Sequence, residues 1–258
     1  MSDFELLNGL ALSKYQMAKN DPFRFLIRSI VAGLYLGMAT ILSYTLSVVL
    51  TDVSPEMAKI AFAAAFGIGL VVIVLLGSEL FTGNCFTTMI AVYHGNLKFY
   101  QLLPMWLICY IGNFVGIAFL MFLFIKTGSN HDMLNDYLTT VINGKLNFDF
   151  AQLFIKGVLC NFIVCVAAFE GMKLKSESAK VIVMMIAVMS FVLPGFEHSI
   201  ANMGTFSMGY FALGQSISWS GVGLHMLVTT VGNIIGGGVL LALPIYLMSK
   251  PEKKSKIK

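Results

Sequence analysis

The stretch Pro194-Gly195-Phe196-Glu197-His198-Ser199-Ile200-Ala201-Asn202 decides the fold of this chain. It closes an apolar run, Val181–Phe196, and sets a glutamate and a histidine side by side in otherwise apolar surroundings. A second stretch rhymes with it. Gly77-Ser78-Glu79-Leu80-Phe81-Thr82-Gly83-Asn84 follows the apolar run Ile60–Ser78, and both stretches set an Asn five positions after the Glu. The two glutamates are 118 residues apart. Pro and Gly inside an apolar helix free backbone groups that need protein or cavity partners. Each stretch therefore predicts a helix broken at membrane depth, with a second half-helix near Cys85–Tyr93 and near Met203–Phe211.

The rest of the chain agrees. Of 258 residues, 57% are hydrophobic and 12% charged, with a mean hydropathy of +0.82. A soluble domain carries about 25% charged residues. That excludes a soluble enzyme, a nucleic-acid binder and a disordered chain. Four further runs reach the ~20 residues a membrane helix needs: Ser29–Leu50, Phe99–Ile125, Phe150–Phe169 and about Val222–Ser249. With the two broken runs this predicts six spans in one domain, 1–258. Met1–Asp21 is polar and does not read as a signal peptide. Thirteen Lys and Arg fall in the segments on one side of these spans, and Lys59, Lys126 and Lys145 on the other. The positive-inside rule then puts both termini, with the basic tail 250–258, in the cytoplasm and the chain in the cell membrane as a multi-pass protein.

The third and sixth spans rhyme as well. Gly112-Asn113-Phe114-Val115-Gly116 matches Gly232-Asn233-Ile234-Ile235-Gly236 at an offset of 120, and Arg28 and Lys156 open the first and fourth. Similar offsets in three element pairs argue for duplication, with repeats at about 22–125 and 150–249. Three spans per repeat is an odd number, so the halves run in opposite directions, and a substrate path is expected near the midplane.

Ionisable residues at membrane depth are costly and face the bundle interior. His198 can donate a hydrogen bond or a proton near neutral pH; a core histidine satisfied by its neighbours is an equal reading. Glu79 and Glu197 read as structural acceptors for the loose N–H groups of the breaks. Lys156 either draws anions into a vestibule or snorkels to headgroups. Phe66, Leu70, Phe81 and Phe191 flank the breaks, and by spacing alone they are core. Cys85, Cys109, Cys160 and Cys165 read as small buried hydrophobes. His94 lies near a cytoplasmic loop, His131 in an outer one, and His225 opens the sixth span and is ambiguous; no histidine pair has ligand spacing. No metal or cofactor is called for.

At these motifs the sequence resembles the formate/nitrite transporter family. Gly77–Gly83, the run Gly157–Ala167 (GVLCNFIVCVA), Gly195–Met203 and Gly232–Gly238 stand in the family's order along essentially the whole chain. The resemblance implies an all-α, aquaporin-like fold assembled as a homopentamer in the bilayer, with one pore per protomer. It implies passage of small monovalent anions such as formate, nitrite or hydrosulfide. His198 would be the central pore histidine, Thr82 its hydrogen-bond partner, and Asn161 and Asn202 its polar neighbours. Leu80, Phe81 and Thr82 would sit on a mobile loop. Phe66, Leu70 and Phe191 would form apolar constrictions. Glu79, Gly83-Asn84 and Lys156 depart from the best-known formate channels. The competing class is an aquaporin-type neutral-solute channel, but Gly83-Asn84-Cys85 and Ala201-Asn202-Met203 lack its Asn-Pro-Ala proline.

Overall fold

A computed structural model describes residues 3–129, 131–214 and 217–249, and all regular structure among them is helical. The basic tail 250–258 and the side chain of His131 lie outside the described residues. The chain runs through α1 (Asp3–Asn20), α2 (Pro22–Thr51), α3 (Pro55–Leu75), α4 (Phe81–Tyr93) and α5 (Phe99–Lys126). It continues through α6 (His131–Leu146), α7 (Phe150–Lys173), α8 (Glu177–Val192) and α9 (Ser199–Leu213). Last comes α10 (Trp219–Ile235), which passes through one wider π-helical segment, Gly236–Leu241, into α11 (Ala242–Ser249).

Among the described residues five helices are long and apolar enough to cross a membrane: α2, α3, α5, α7 and the continuous stretch Trp219–Ser249. The expected fifth span is shorter. With 16 residues α8 extends about 24 Å, less than the ~30 Å hydrocarbon core, because the break at 193–198 ends it early. The two breaks match in detail. Gly77 and Gly195 sit at the same place in each and take φ +66° and +79°, a region open to glycine at little steric cost. The half-helices begin four residues before their predicted starts, so Phe81 and Thr82 open α4 instead of lying on a loop.

Two helices were unforeseen. The polar N-terminal segment forms α1, and the connection after α5 forms α6. Both are amphipathic. In α1 Leu7, Ala11 and Ala18 are buried, and in α6 Leu134, Leu138 and Ile142, the spacing of one helix face.

Close backbone approach sets the frame. A Cβ on Gly116 would run into the carbonyl oxygen of Ile30, and one on Gly33 into that of Asn113, so α2 and α5 touch backbone to backbone. The α7–α10 crossing repeats this with Gly236 against Val158. Such small-residue contacts are how helices pack where apolar solvent gives no hydrophobic drive. On its outside α5 shows Leu103, Leu107, Ile111, Phe114 and Phe119, all more than 45% exposed. An apolar stripe of that length suits lipid or a neighbouring chain.

Candidate functional site

Each break is stitched by one asparagine. Asn113 Nδ2 donates to the carbonyls of Ser29 (2.8 Å) and Glu79 (2.9 Å), while its Oδ1 accepts from Phe81 N (2.9 Å). Asn233 does the same with Gly157 (2.8 Å), Glu197 (2.9 Å) and Ser199 N (2.8 Å). The amide side chain has both the donors and the acceptor that this task needs. The backbone of Glu79 donates to Arg28 O (3.2 Å), and that of Glu197 to Lys156 O (3.4 Å).

The glutamates are not held by loose N–H groups, as expected, but by lysines from the unforeseen helices. Lys14 Nζ lies 2.6 Å from Glu79 Oε2 and 2.9 Å from Asn84 Oδ1. Lys145 Nζ lies 2.6 Å from Glu197 Oε2 and 3.0 Å from Asn202 Oδ1. A carboxylate this deep needs a cation. Arg28 adds a second one at Glu79, with Nε 3.7 Å from Oε1 and a guanidinium N–H donated to Gly77 O.

Two cavities approach the midplane from opposite ends of α3. The first, about 260 Å³, is lined by Lys14, Arg28, Glu79, Leu70 and Leu80. The second, about 200 Å³, is lined by Lys59, Lys145, Glu197, Phe66, Phe191 and His198. Along α3, Lys59, Phe62 and Phe66 face the second cavity, and Leu70, Ile73 and Val74 the first. That is one continuous helical stripe, about 21 Å from Lys59 to Ile73 at 1.5 Å per residue. Between the cavities is a void of about 10 Å³ bounded by Leu36, Phe66, Leu70, Leu80, Val164, Val188, Phe191 and His198. A volume of 10–15 Å³ just admits one water. The two cavities are therefore separated here by two apolar collars, Phe66/Phe191 and Leu70/Leu80/Val164.

His198 sits between them, 4% exposed. Its ring lies 6.2 Å from that of Phe191, nearly parallel. It is the N-cap of α9, with Nδ1 accepting from Ala201 N at 3.1 Å. Five other helices, α2, α3, α7, α8 and α10, are capped by Asp21, Ser54, Asp149, Ser176 and Ser218, so a histidine cap is the exception. The amide fixes Nδ1 as an acceptor, which puts the ring proton on Nε2. Nε2 lies 3.0 Å from Thr82 Oγ1, and the hydroxyl hydrogen is left to donate elsewhere. Among the described residues no three His, Cys, Asp or Glu side chains could hold a metal ion.

The formate/nitrite transporter family model matches residues 5–247. The chain belongs to the formate/nitrite transporter family. It is accordingly a multi-pass membrane transport protein and not an enzyme. Nitrite transporter NirC of Escherichia coli (strain K12) is 32% identical over 233 residues, covering 88% of this chain and 84% of the relative. Uncharacterized transporter YwcJ of Bacillus subtilis (strain 168) is 32% identical over 245 residues, covering 94% and 95%. A solved structure titled "FNT family ion channel" superposes with a TM-score of 0.89 at 28% identity, covering 96% of this chain and 99% of that one. A second, titled "Pentameric formate channel with formate bound", gives 0.78 at 26%, covering 90% and 98%.

For this formate/nitrite transporter family member, the expected site residues divide. His198, Thr82, Phe66, Leu70, Leu80 and Phe191 meet at the midplane. Phe81 does not. Its ring packs edge-on against Tyr110 (4.9 Å) and Trp106 (6.2 Å) on α5, because its position in the first turn of α4 turns it away from the path. Lys156 lines neither large cavity. It lies with His225 beside a separate cavity of about 90 Å³, and Lys59 and Lys145 are the cations of the second vestibule. Among the described residues Asn161 makes no hydrogen bond to His198. Its Nδ2 donates to the carbonyls of Thr82 (3.1 Å) and Asn233 (2.7 Å), so it tethers the α4 start to α10. Asn202 lines the second cavity and holds Lys145. The sequence reading missed Lys14, Lys145, Leu36, Val164 and Val188, and gave Asn113 and Asn233 no role. The repeated Gly-Asn motif was a usable signal for the last two. The lysines lie 65 and 52 positions from their glutamates, which no local pattern marks.

Proposed function

We propose that this chain is a channel for small monovalent anions of weak acids, formate, nitrite or hydrosulfide, with His198 as the central donor. The observation that carries this reading is the His198–Thr82 pair enclosed between two apolar collars, each backed by a cationic vestibule. Lys14 and Arg28 on one side, and Lys59 and Lys145 on the other, concentrate anions. A bare anion entering an apolar collar loses its hydration at high cost. At the midplane Nε2–H polarises Thr82, whose hydroxyl donates a hydrogen bond to the anion, and the proton that neutralises the weak acid comes from the water of the vestibule. A weak acid neutralised there crosses the remaining collar far more easily. Forming the imidazolium with a proton on Nδ1 would break the cap on α9, so the ring works as a neutral donor.

The reading extends to architecture. Two inverted repeats, about 22–125 and 150–249, form six spans with α3–α4 and α8–α9 as the broken pairs, in an aquaporin-like arrangement. The first vestibule faces the cytoplasm, with both termini, as the Lys and Arg asymmetry implies. The assembly is a homopentamer with one pore per protomer, in keeping with the pentameric relative and the exposed apolar face of α5.

Proteoliposome flux of formate, nitrite and hydrosulfide across a pH series tests this. Flux rises at acid pH in the wild type and loses its pH dependence in His198→Phe. A mutant with wild-type flux at every pH refutes the histidine role. Water or glycerol passage without any anion passage moves the protein to the neutral-solute class.

A further inference from the structure

The two Glu–Lys–Asn clusters are alike in their first cation and differ in their second. At Glu79 the second cation is Arg28, whose charge does not change with pH. At Glu197 it is His225 of α10, with Nε2 4.0 Å from Oε2, the oxygen that Lys145 holds at 2.6 Å. His225 is 1% exposed, and among the described residues its Nδ1 has no hydrogen-bond partner. The rings of Phe148 and Phe206, each 5.3 Å away and edge-on, hold its plane. Beside it is the 90 Å³ cavity, lined by Asn147, Asp149, Gln152 and Lys156 as well as Lys145 and Glu197. That volume holds a few waters, which give the ring a route for protons that bypasses the pore.

We propose that His225 is a positioning residue that makes anion capture at the second vestibule depend on the pH of that side. The neutral ring stands off Glu197, and Lys145 neutralises the carboxylate. The protonated ring closes the gap as a charge-assisted donor to Oε2. Lys145 then keeps Asn202 and turns its charge to the vestibule. The cluster of Lys145, Glu197 and His225 goes from neutral to one positive charge. Of the charged groups facing His225, Lys145 and Lys156 oppose its protonation, while Glu197 and Asp149 favour it. The carboxylate of Asp149 accepts from Gln152 N at 2.9 Å. Among the described residues the first vestibule is lined by no histidine, so capture from that side lacks this response.

This inference rests on the anion-channel reading, and its test separates the two. Half-saturating formate concentration is measured in oriented proteoliposomes, with pH varied between about 4 and 8 on the second-vestibule side only. His225→Gln, His225→Arg and Lys145→Met are compared with wild type, so that protonation of the substrate cancels. Acidification lowers the wild-type half-saturation about fivefold more than that of His225→Gln, the order expected of one added charge across a partly hydrated surface. His225→Arg stays at the low value throughout, and the maximal rates of the two His225 variants do not change. A wild-type profile in His225→Gln overturns the inference. If the ring variants fail to assemble, Lys145→Met must flatten the same profile; a wild-type profile there overturns it equally. Flux that survives unchanged in His198→Phe defeats the functional reading instead, and leaves the half-saturation shift to be read on its own.

Discussion

Replacing Asn233 should cost more than replacing any other single amide or hydroxyl on α10. Its side chain makes three hydrogen bonds of 2.8–2.9 Å at zero exposure. Alanine removes all three at about 1 kcal/mol each, and strands the Ser199 amide without an acceptor, which adds roughly 1–3 kcal/mol. The expected loss is about 5 kcal/mol. Aspartate is the sharper probe. It fills nearly the same volume and still accepts from Ser199 N. It cannot donate to Gly157 and Glu197, and it sets a charge against two carbonyl oxygens. Asn233→Asp should therefore be no more stable than Asn233→Ala. Thr230→Ala, on the same helix, loses only the 2.9 Å bond to Tyr110, about 1 kcal/mol. Detergent-solubilised variants are heated and the monodisperse fraction is followed by size exclusion. At ~2–4 °C per kcal/mol, Asn233→Ala and Asn233→Asp should lose roughly 10–20 °C and Thr230→Ala about 3 °C. Because Ser199 adjoins His198, anion flux should fall with them. An aspartate variant that melts with the wild type, or a Thr230 variant as damaged as Asn233→Ala, would refute the clamp.

Gly116→Ala should lower thermal stability by at least the 1–3 kcal/mol of an overpacked core, since its new methyl meets the Ile30 carbonyl. Gly223→Ala, with nothing within 4 Å of the added carbon, should be neutral or gain up to ~1 kcal/mol in helix propensity; equal melting of the two would contradict the backbone contact. Phe191→Ala should open the collar at the second vestibule and raise the ratio of lactate to formate flux severalfold. An unchanged ratio would place the size filter elsewhere.

Local chemistry made the breaks readable. Pro194-Gly195 and Gly77 interrupt apolar runs, and a glycine at positive φ followed by a buried glutamate needs no distant information. The Gly-Asn repeat was likewise visible, because both breaks put the same backbone demands on one asparagine. The half-helix starts were misplaced by four residues, since Phe81-Thr82 and Ser199-Ile200 carry no local cap signal. Their first amides bond to Asn113 and Asn233, 32 and 34 positions away in sequence.

Other features depended on assembly. Lys145 and Lys156 are both single lysines near the second vestibule, and sequence proximity to the fourth span favoured the wrong one. Which of them faces Glu197 depends on α6 folding back along α9, driven by burial of Leu134, Leu138 and Ile142. Phe66 and Phe81 both flank a break, yet only Phe66 lies on the pore stripe of α3, because α4 starts early and turns Phe81 into α5. The long apolar runs, their Gly and Pro interruptions and the recurring Glu and Gly-Asn motifs are read along the chain, and the sequence alone determined them. Charge pairing and pore lining were decided only by the tertiary structure, because a buried ion must find its partner across the fold and a helix face acquires a role only from what packs against it.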